Sequence, residues 1–138
     1  MKITIIVAEF NKDITDRLLD GAITYLNEHK KEVTWDIVHV PGAFELPYMA
    51  QRMIAEKKSD GVIALGCVLK GETDHYQAVC DGVTYGLQKV AIENRVPVMF
   101  GVLMCNSKDL ALARSALGSR NNKGYECAEG LLALLKAL

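Results

Sequence analysis

Residues 61–90 read GVIALGCVLKGETDHYQAVCDGVTYGLQKV, and the change of period inside this stretch decides the architecture. Gly61 to Val68 is a short apolar run, the pattern of a strand buried on both faces. It is entered from the Ser59-Asp60 turn and left through Lys70-Gly71-Glu72-Thr73. Tyr76, Val79, Val83, Leu87 and Val90 then recur at helical spacing and predict a long helix. Asn94 to Pro97 breaks that helix, and Pro97 to Leu103 (PVMFGVL) reads as the next strand.

The alternation continues in both directions. Upstream, Lys2 to Ala8 (KITIIVA) reads as a buried strand. It is followed by a helical face of Ile14, Leu18, Leu19, Ala22, Ile23 and Leu26, with Asp13 available near the cap and Asp16 in the first turn. Val33 to Val40 is a second strand ending at Pro41-Gly42. Leu46, Met49, Ala50, Met53 and Ile54 then form a helical stripe in which Pro47 is tolerable only in the first turn, so that helix starts close to Phe44 or Glu45. Downstream, Ser107 to Leu117 and about Lys123 to Leu138 read as helices around a polar Gly118-Ser119-Arg120-Asn121-Asn122 break.

Strands of nearly continuous apolar character separated by helices imply a parallel sheet covered on both faces. Right-handed crossovers then give a three-layer α/β/α sandwich of flavodoxin-like order 2-1-3-4. The 138 residues fit one domain spanning 1–138. In such sheets ligands sit beyond the carboxyl ends of the strands. Here those ends are Glu9-Phe10-Asn11, Val40 to Glu45, Leu69 to His75 and Met104 to Ser107.

Composition narrows the function classes. Sixteen Lys plus Arg against seventeen Asp plus Glu give a formal net charge of -1, and no basic run exists to hold a nucleic-acid backbone. The longest apolar runs fall well below the ~20 residues of a membrane span. Cys67, Cys80, Cys105 and Cys127 form no Cys-x-x-Cys hook. With no charged leader and apolar signal core, the expectation is a cytoplasmic chain with four free structural thiols, no nucleic-acid partner and no membrane.

At the strand ends, His75 is the first candidate for chemistry, because an imidazole with an unperturbed pKa near ~6.5 takes and returns protons at neutral pH. An N-terminal helix residue without a role is the plain alternative. His29, in a charged helix end, has no assigned role, and His39 on the second strand reads as a half-buried packing residue. Lys70-Gly71-Glu72-Thr73 before a helix suggests anion binding by unpaired N–H groups, with an ordinary turn capped by a hydroxyl as the alternative. It lacks the Gly-Lys-Ser/Thr ending of a Walker loop. In Pro41-Gly42-Ala43-Phe44-Glu45-Leu46-Pro47, small residues let a flat ligand approach the backbone and Glu45 can accept hydrogen bonds from a polyol. Alternatively, Glu45 is a dipole-favoured acid at a helix start. Phe10 is a stacking platform or a staple for the following helix. Arg114 and Lys123 have no obvious acidic partner in helical register and read by default as solvated charges.

Taken together, Ile5 to Asn11, Val40 to Pro47, Gly66 to Tyr76, Phe100 to Leu103 and Asn122-Lys123-Gly124 resemble lumazine synthases in order and spacing over nearly the whole chain. The long Gly-x-x-x-x-Gly-x-Thr-x-His block and the Pro-Gly-x-x-Glu-x-Pro block carry most of that likeness. The resemblance implies condensation of 5-amino-6-(D-ribitylamino)uracil with 3,4-dihydroxy-2-butanone 4-phosphate, giving 6,7-dimethyl-8-ribityllumazine, phosphate and water. It implies that Phe10 stacks on the pyrimidine while Asn11, Ala43 and Glu45 hold ring and ribityl groups. Lys70, Gly71, Glu72, Thr73 and Arg114 fall to substrate binding, with Gly71, Thr73 and Arg114 on the phosphate. His75 shuttles protons, Lys123 assists near the phosphate with Glu126 orienting it, and Phe100 completes the aromatic wall from a neighbouring subunit. No metal or organic cofactor is implied. The family's head-to-tail contact closes as a pentamer, and twelve pentamers can close into a hollow 60-subunit shell, an icosahedral capsid.

Several positions depart from the family pattern. Lys2 already opens the first core strand, where most members begin with an extra strand that lies on a neighbour's sheet. Glu9 stands where many bacterial members carry Arg, although archaeal-type members share Glu. Met104-Cys105-Asn106-Ser107 and Leu110 replace a common Thr-Thr-Glu/Asp-Asn and Gln, and one additional residue separates Arg114 from Lys123. Two rivals share the fold. An archaeal-type riboflavin synthase is opposed by the Gly71-Glu72-Thr73 turn and Arg114, since its substrate carries no phosphate. A non-catalytic flavin-binding shell protein is opposed by the presence of His75, Arg114 and Lys123.

Overall fold

A computed structural model describes residues 1–138. Its elements run β1 (Lys2–Ala8), α1 (Lys12–Glu28), β2 (Thr34–Val40), a 3-10 turn (Ala43–Glu45), α2 (Leu46–Lys57), β3 (Gly61–Leu69), α3 (His75–Asn94), β4 (Val98–Cys105), α4 (Lys108–Ala113) and α5 (Lys123–Lys136). The strands form one parallel sheet in the order β2-β1-β3-β4, as the alternation of periods predicts.

Alternation along the central strands divides the core in two. Ile3, Ile5 and Val7 of β1 and Ile63 and Leu65 of β3 point to one face, where Leu18, Ala22 and Leu26 of α1 meet Ala128, Leu131 and Leu132 of α5. Ile6, Ala8, Val62 and Ala64 point to the other, against Leu46, Ala50 and Ile54 of α2 and Val83, Leu87 and Val90 of α3. Each fully buried Leu or Ile contributes roughly 1.5–3 kcal/mol, so these two seams hold the layers on the sheet. Glycine sets the spacing where helix and strand come closest: a Cβ at Gly61 would lie 2.7 Å from Leu131 Cδ1.

Five details differ from the sequence expectations. Asn11, rather than Asp13, is the N-cap of α1, in a left-handed conformation with φ 59°. Asp13 instead lies in the first turn, where its carboxylate pairs with Lys108 Nζ at 2.5 Å and ties α1 to α4. The edge strand β2 is not covered on both faces, for Thr34, Asp36, Ile37 and His39 are exposed. His39 is therefore no packing residue; its Nδ1 sits 4.0 Å from the Glu9 carboxylate. The fourth strand begins one residue later than expected and runs on through Met104 and Cys105, whose carbonyl accepts from the Lys70 N–H at 3.0 Å. Finally, the helix expected over Ser107 to Leu117 ends at Ala113. Ser115 there is buried, its hydroxyl donates back to the Ala111 carbonyl at 2.8 Å, and its backbone pairs with Asn122. No helix is long and apolar enough to cross a membrane.

Candidate active site

The carboxyl ends of β1, β2 and β3 open onto a cleft of about 670 Å³. Its first wall comes from the β1–α1 turn. Glu9 and Phe10 extend the pairing with the β2 exit, their N–H groups donating to Val40 at 2.9 Å and Pro41 at 3.0 Å. The chain then reverses at left-handed Asn11, a conformation Asn tolerates better than most residues. Its side-chain Nδ2 donates to the Cys67 carbonyl at 2.8 Å. This bond spans from the β1 turn to β3 and leaves the Phe10 ring 72% exposed at the mouth of the cleft.

The second wall is the 3-10 turn. Gly42 N–H donates to Glu45 Oε1 at 3.0 Å, which holds the carboxylate and leaves its other oxygen free of protein partners. A Cβ at Gly42 would stand 3.2 Å from that Oε1 and 3.6 Å from Phe10 Cδ2, so ring and carboxylate flank one point of bare backbone. Ala43 is buried beneath them, packed toward Gly66 and Leu46. The third wall is α3, which starts at His75 with that imidazole exposed on the cleft and Ala78 and Val79 one helical turn further along.

Five of the expected site residues, Phe10, Asn11, Ala43, Glu45 and His75, thus come together. Lys70, Gly71, Glu72 and Thr73 do not line the cleft; they form an exposed turn leading into α3. Thr73 Oγ1 accepts from the His75 N–H at 3.3 Å, a contact within the turn, while the N-cap of α3 is Asp74, which makes no side-chain cap bond; the Thr73 hydroxyl proton remains available to a ligand. Phe100, Arg114 and Lys123 also lie away from the cleft. Phe100 is on the edge strand β4 in register with Ala64 and is 37% exposed. Arg114 ends α4 and Lys123 opens α5, and the Lys123 N–H donates to the Arg114 carbonyl at 2.8 Å, so the two cationic residues are neighbours across a closed loop. Neither makes an ion pair, and Glu126 does not reach Lys123 as expected.

Phe44, the aromatic that the Pro41 to Pro47 segment puts at the strand exit, also lines the cleft, its ring seated over Gly82, where a Cβ would fall 2.5 Å from Phe44 Cε1. The cleft also holds residues the sequence did not single out. Cys67, Val68 and Leu69 at the end of β3 form an apolar floor. Burial pushes the Cys67 thiol up to about 12, so it is wall and not nucleophile. Ala78 and Val79 were readable in principle, because they follow His75 by three and four residues and so share its helix face. No group of three or more His, Cys, Asp or Glu is placed to hold a metal ion.

An open aromatic cleft beside a bare backbone edge, with a held carboxylate and an exposed imidazole, can bind a flat polar ring carrying a polyol and exchange protons with it. Comparison with known proteins points the same way. The family model described as 6,7-dimethyl-8-ribityllumazine synthase matches residues 1–138. The 6,7-dimethyl-8-ribityllumazine synthase of Pediococcus pentosaceus is 50% identical, the alignment covering 98% of this chain and 86% of that one. The protein of the same name from Coxiella burnetii is 41% identical over 99% of this chain and 91% of its own length.

Proposed function

This chain belongs to the 6,7-dimethyl-8-ribityllumazine synthase family, and from that premise we propose how its residues divide the work. The reaction is the transferase step of riboflavin biosynthesis, in which 5-amino-6-(D-ribitylamino)uracil and 3,4-dihydroxy-2-butanone 4-phosphate yield 6,7-dimethyl-8-ribityllumazine, phosphate and water. Phe10 stacks on the pyrimidine, while the backbone at Gly42 and Ala43 meets its polar edge. The free oxygen of Glu45 accepts from ribityl hydroxyls, since its partner oxygen is already held by Gly42. The primary amine of the uracil attacks the ketone and water leaves as the imine forms. Phosphate is then eliminated, and the ribityl-bearing nitrogen closes the ring on the remaining carbonyl with loss of a second water. Each step moves a proton, and His75 is the group beside the cleft able to carry it. Much of the acceleration comes from holding amine and ketone together, which frees the site from needing a stronger catalyst.

The phosphate end falls to Gly71, Thr73 and Arg114, with Lys70 and Glu72 in the same turn and Lys123 beside Arg114. These groups do not line the cleft of their own chain. That separation is the observation carrying the second half of the proposal: the site is shared, with Phe100, Arg114 and Lys123 of one copy completing the cleft of the next. A head-to-tail contact of this kind is heterologous and closes as a ring, here a pentamer, with a 60-subunit shell as its further closure. Exposed Phe44, Tyr48, Tyr85 and Ile92 on the α2–α3 layer give such a contact apolar surface to bury. The cytoplasm, where a pathway of small soluble intermediates runs, is the proposed compartment. The deciding assay supplies both substrates and follows lumazine absorbance together with inorganic phosphate. Equimolar appearance of the two supports the reading, and phosphate release without lumazine, or neither, overturns it.

A further inference from the structure

The geometry points to Asn122 as a positioning residue for the phosphate end of the site, acting through the loop that carries Arg114 and Lys123. Asn122 is 1% exposed, and a buried carboxamide must find partners for both its donors and its acceptor. It does so with three separate parts of the chain. Nδ2 donates to the Arg17 carbonyl of α1 at 3.0 Å and to the Ala116 carbonyl of the loop at 3.3 Å. Oδ1 accepts from the Gly124 and Tyr125 N–H groups at 2.9 and 3.1 Å, capping α5. Gly21 makes room for it, since a Cβ there would overlap the carboxamide oxygen, and Gly124 lets the start of α5 approach α1, since a Cβ there would overlap the Leu18 carbonyl.

What this anchor holds is the spacing of two cations. The backbones of Ser115 and Asn122 pair antiparallel, and the adjoining Lys123 N–H donates to the Arg114 carbonyl. The loop therefore closes like a clasp whose two ends bear Arg114 and Lys123, and the clasp is fastened to α1 by the Nδ2–Arg17 bond alone among these contacts. Neither cation is tied by an ion pair, so their placement depends on the backbone beneath them. A shift of the loop by an ångström would move both relative to an anion, which is enough to cost a large factor in a positioned interaction. This rests on the reading of Arg114 and Lys123 as phosphate ligands.

Asn122→Asp keeps the oxygen that caps α5 and replaces both donors with an acceptor facing two carbonyls. Gly21→Ala crowds the same carboxamide from the α1 side, its Cβ falling 2.1 Å from Oδ1, and serves as the test if Asn122→Asp fails to fold. In the assembled enzyme each should raise the KM for the butanone phosphate, and the inhibition constant for inorganic phosphate, on the order of tenfold. The KM for the ribitylaminouracil should stay within about twofold, because the Phe10 and Glu45 walls are untouched. Loss of assembly or general loosening would weaken both substrates alike, and that outcome overturns the proposal. Arg114→Ala serves as the comparator. If it weakens phosphate inhibition and the Asn122 and Gly21 variants do not, the positioning role fails alone. If Arg114→Ala leaves phosphate inhibition unchanged, the phosphate-site reading fails and takes this proposal with it.

Discussion

Mixing two crippled variants tests the shared site directly. His75→Ala removes the proton carrier from the cleft half, and Arg114→Ala removes the guanidinium from the half that lies across the sheet. In a ring of heterologous contacts every site draws one half from each of two neighbours. A site is intact only where an Arg114→Ala chain lends its cleft to a His75→Ala chain's cations. With a fraction f of His75→Ala chains randomly mixed, intact sites make up f(1−f) of the total, about a quarter at equal amounts. Each parent should be reduced at least roughly tenfold when butanone phosphate is limiting, so a quarter of wild-type turnover stands well above either. The assay is lumazine absorbance after joint dissociation and reassembly, read across a series of mixing ratios. Activity should trace a curve that peaks at the midpoint. A straight line between the two parents, no recovery in a well-mixed ring, or activity in particles that light scattering sizes as monomers would refute the shared site.

His75→Ala alone should slow lumazine formation by roughly tenfold to ten-thousandfold with little change in Tm, because the imidazole is exposed and the uncatalysed condensation continues; a rate equal to wild type removes it from the mechanism. Gly82→Ala places a methyl 2.5 Å from the Phe44 ring and pushes that ring toward the ligand. Helix propensity gains up to ~1 kcal/mol in exchange, so Tm should hold while the KM for the uracil rises, and an unchanged KM would mean Phe44 does not touch substrate. Burial holds the Cys67 and Cys127 thiols up to about 12 and about 11 against an ordinary 9.0, so neither should be labelled by iodoacetamide in the folded protein at pH 8. The same two groups keep protons that the unfolded chain loses, so stability present below pH 9.0 should fall as pH rises toward about 12. A Tm that climbed over that range would contradict their burial.

The strands and helices of the central region were readable from period, because apolar residues there answer to two buried faces or one helix stripe, and the sheet order followed from right-handed crossovers. The differences arose where a local polar interaction outcompeted the pattern. Ala111 to Leu117 keeps helical composition, yet Ser115 turns its hydroxyl back on the helix and the chain leaves at Ala113. Asn11 was expected as a ligand residue only, and its left-handed cap depends on a carbonyl at Cys67 that sequence distance hides. The charged and polar residues of β2 marked an edge that a continuous-strand reading passed over. At the site, His75, Glu45 and Phe10 stood out because an imidazole, a carboxylate and an aromatic ring fall together at the strand ends, where ligands of such sheets bind. Cys67 and Val68 looked like more core, and only the sheet's C-terminal geometry shows that they, with Leu69 at the strand end, face a cleft.

The first helix and the last share one seam, and that has a bearing on how the molecule is made. As the chain leaves the ribosome, α1 emerges with Ile14, Leu18 and Leu26 bare, and their cover, Ala128, Leu131 and Leu132, comes only with α5, after every strand of the sheet. The other seam is complete as soon as β4 is in place, since it draws on β1, α2, β3 and α3. Synthesis therefore passes through a half-clad sheet that is dry on one side and open on the other, a form prone to stick to its own copies while many are being translated together. Parallel pairing between distant strands slows any rescue by rapid refolding. A chain interrupted before Lys123 would lack α5 and keep that open face.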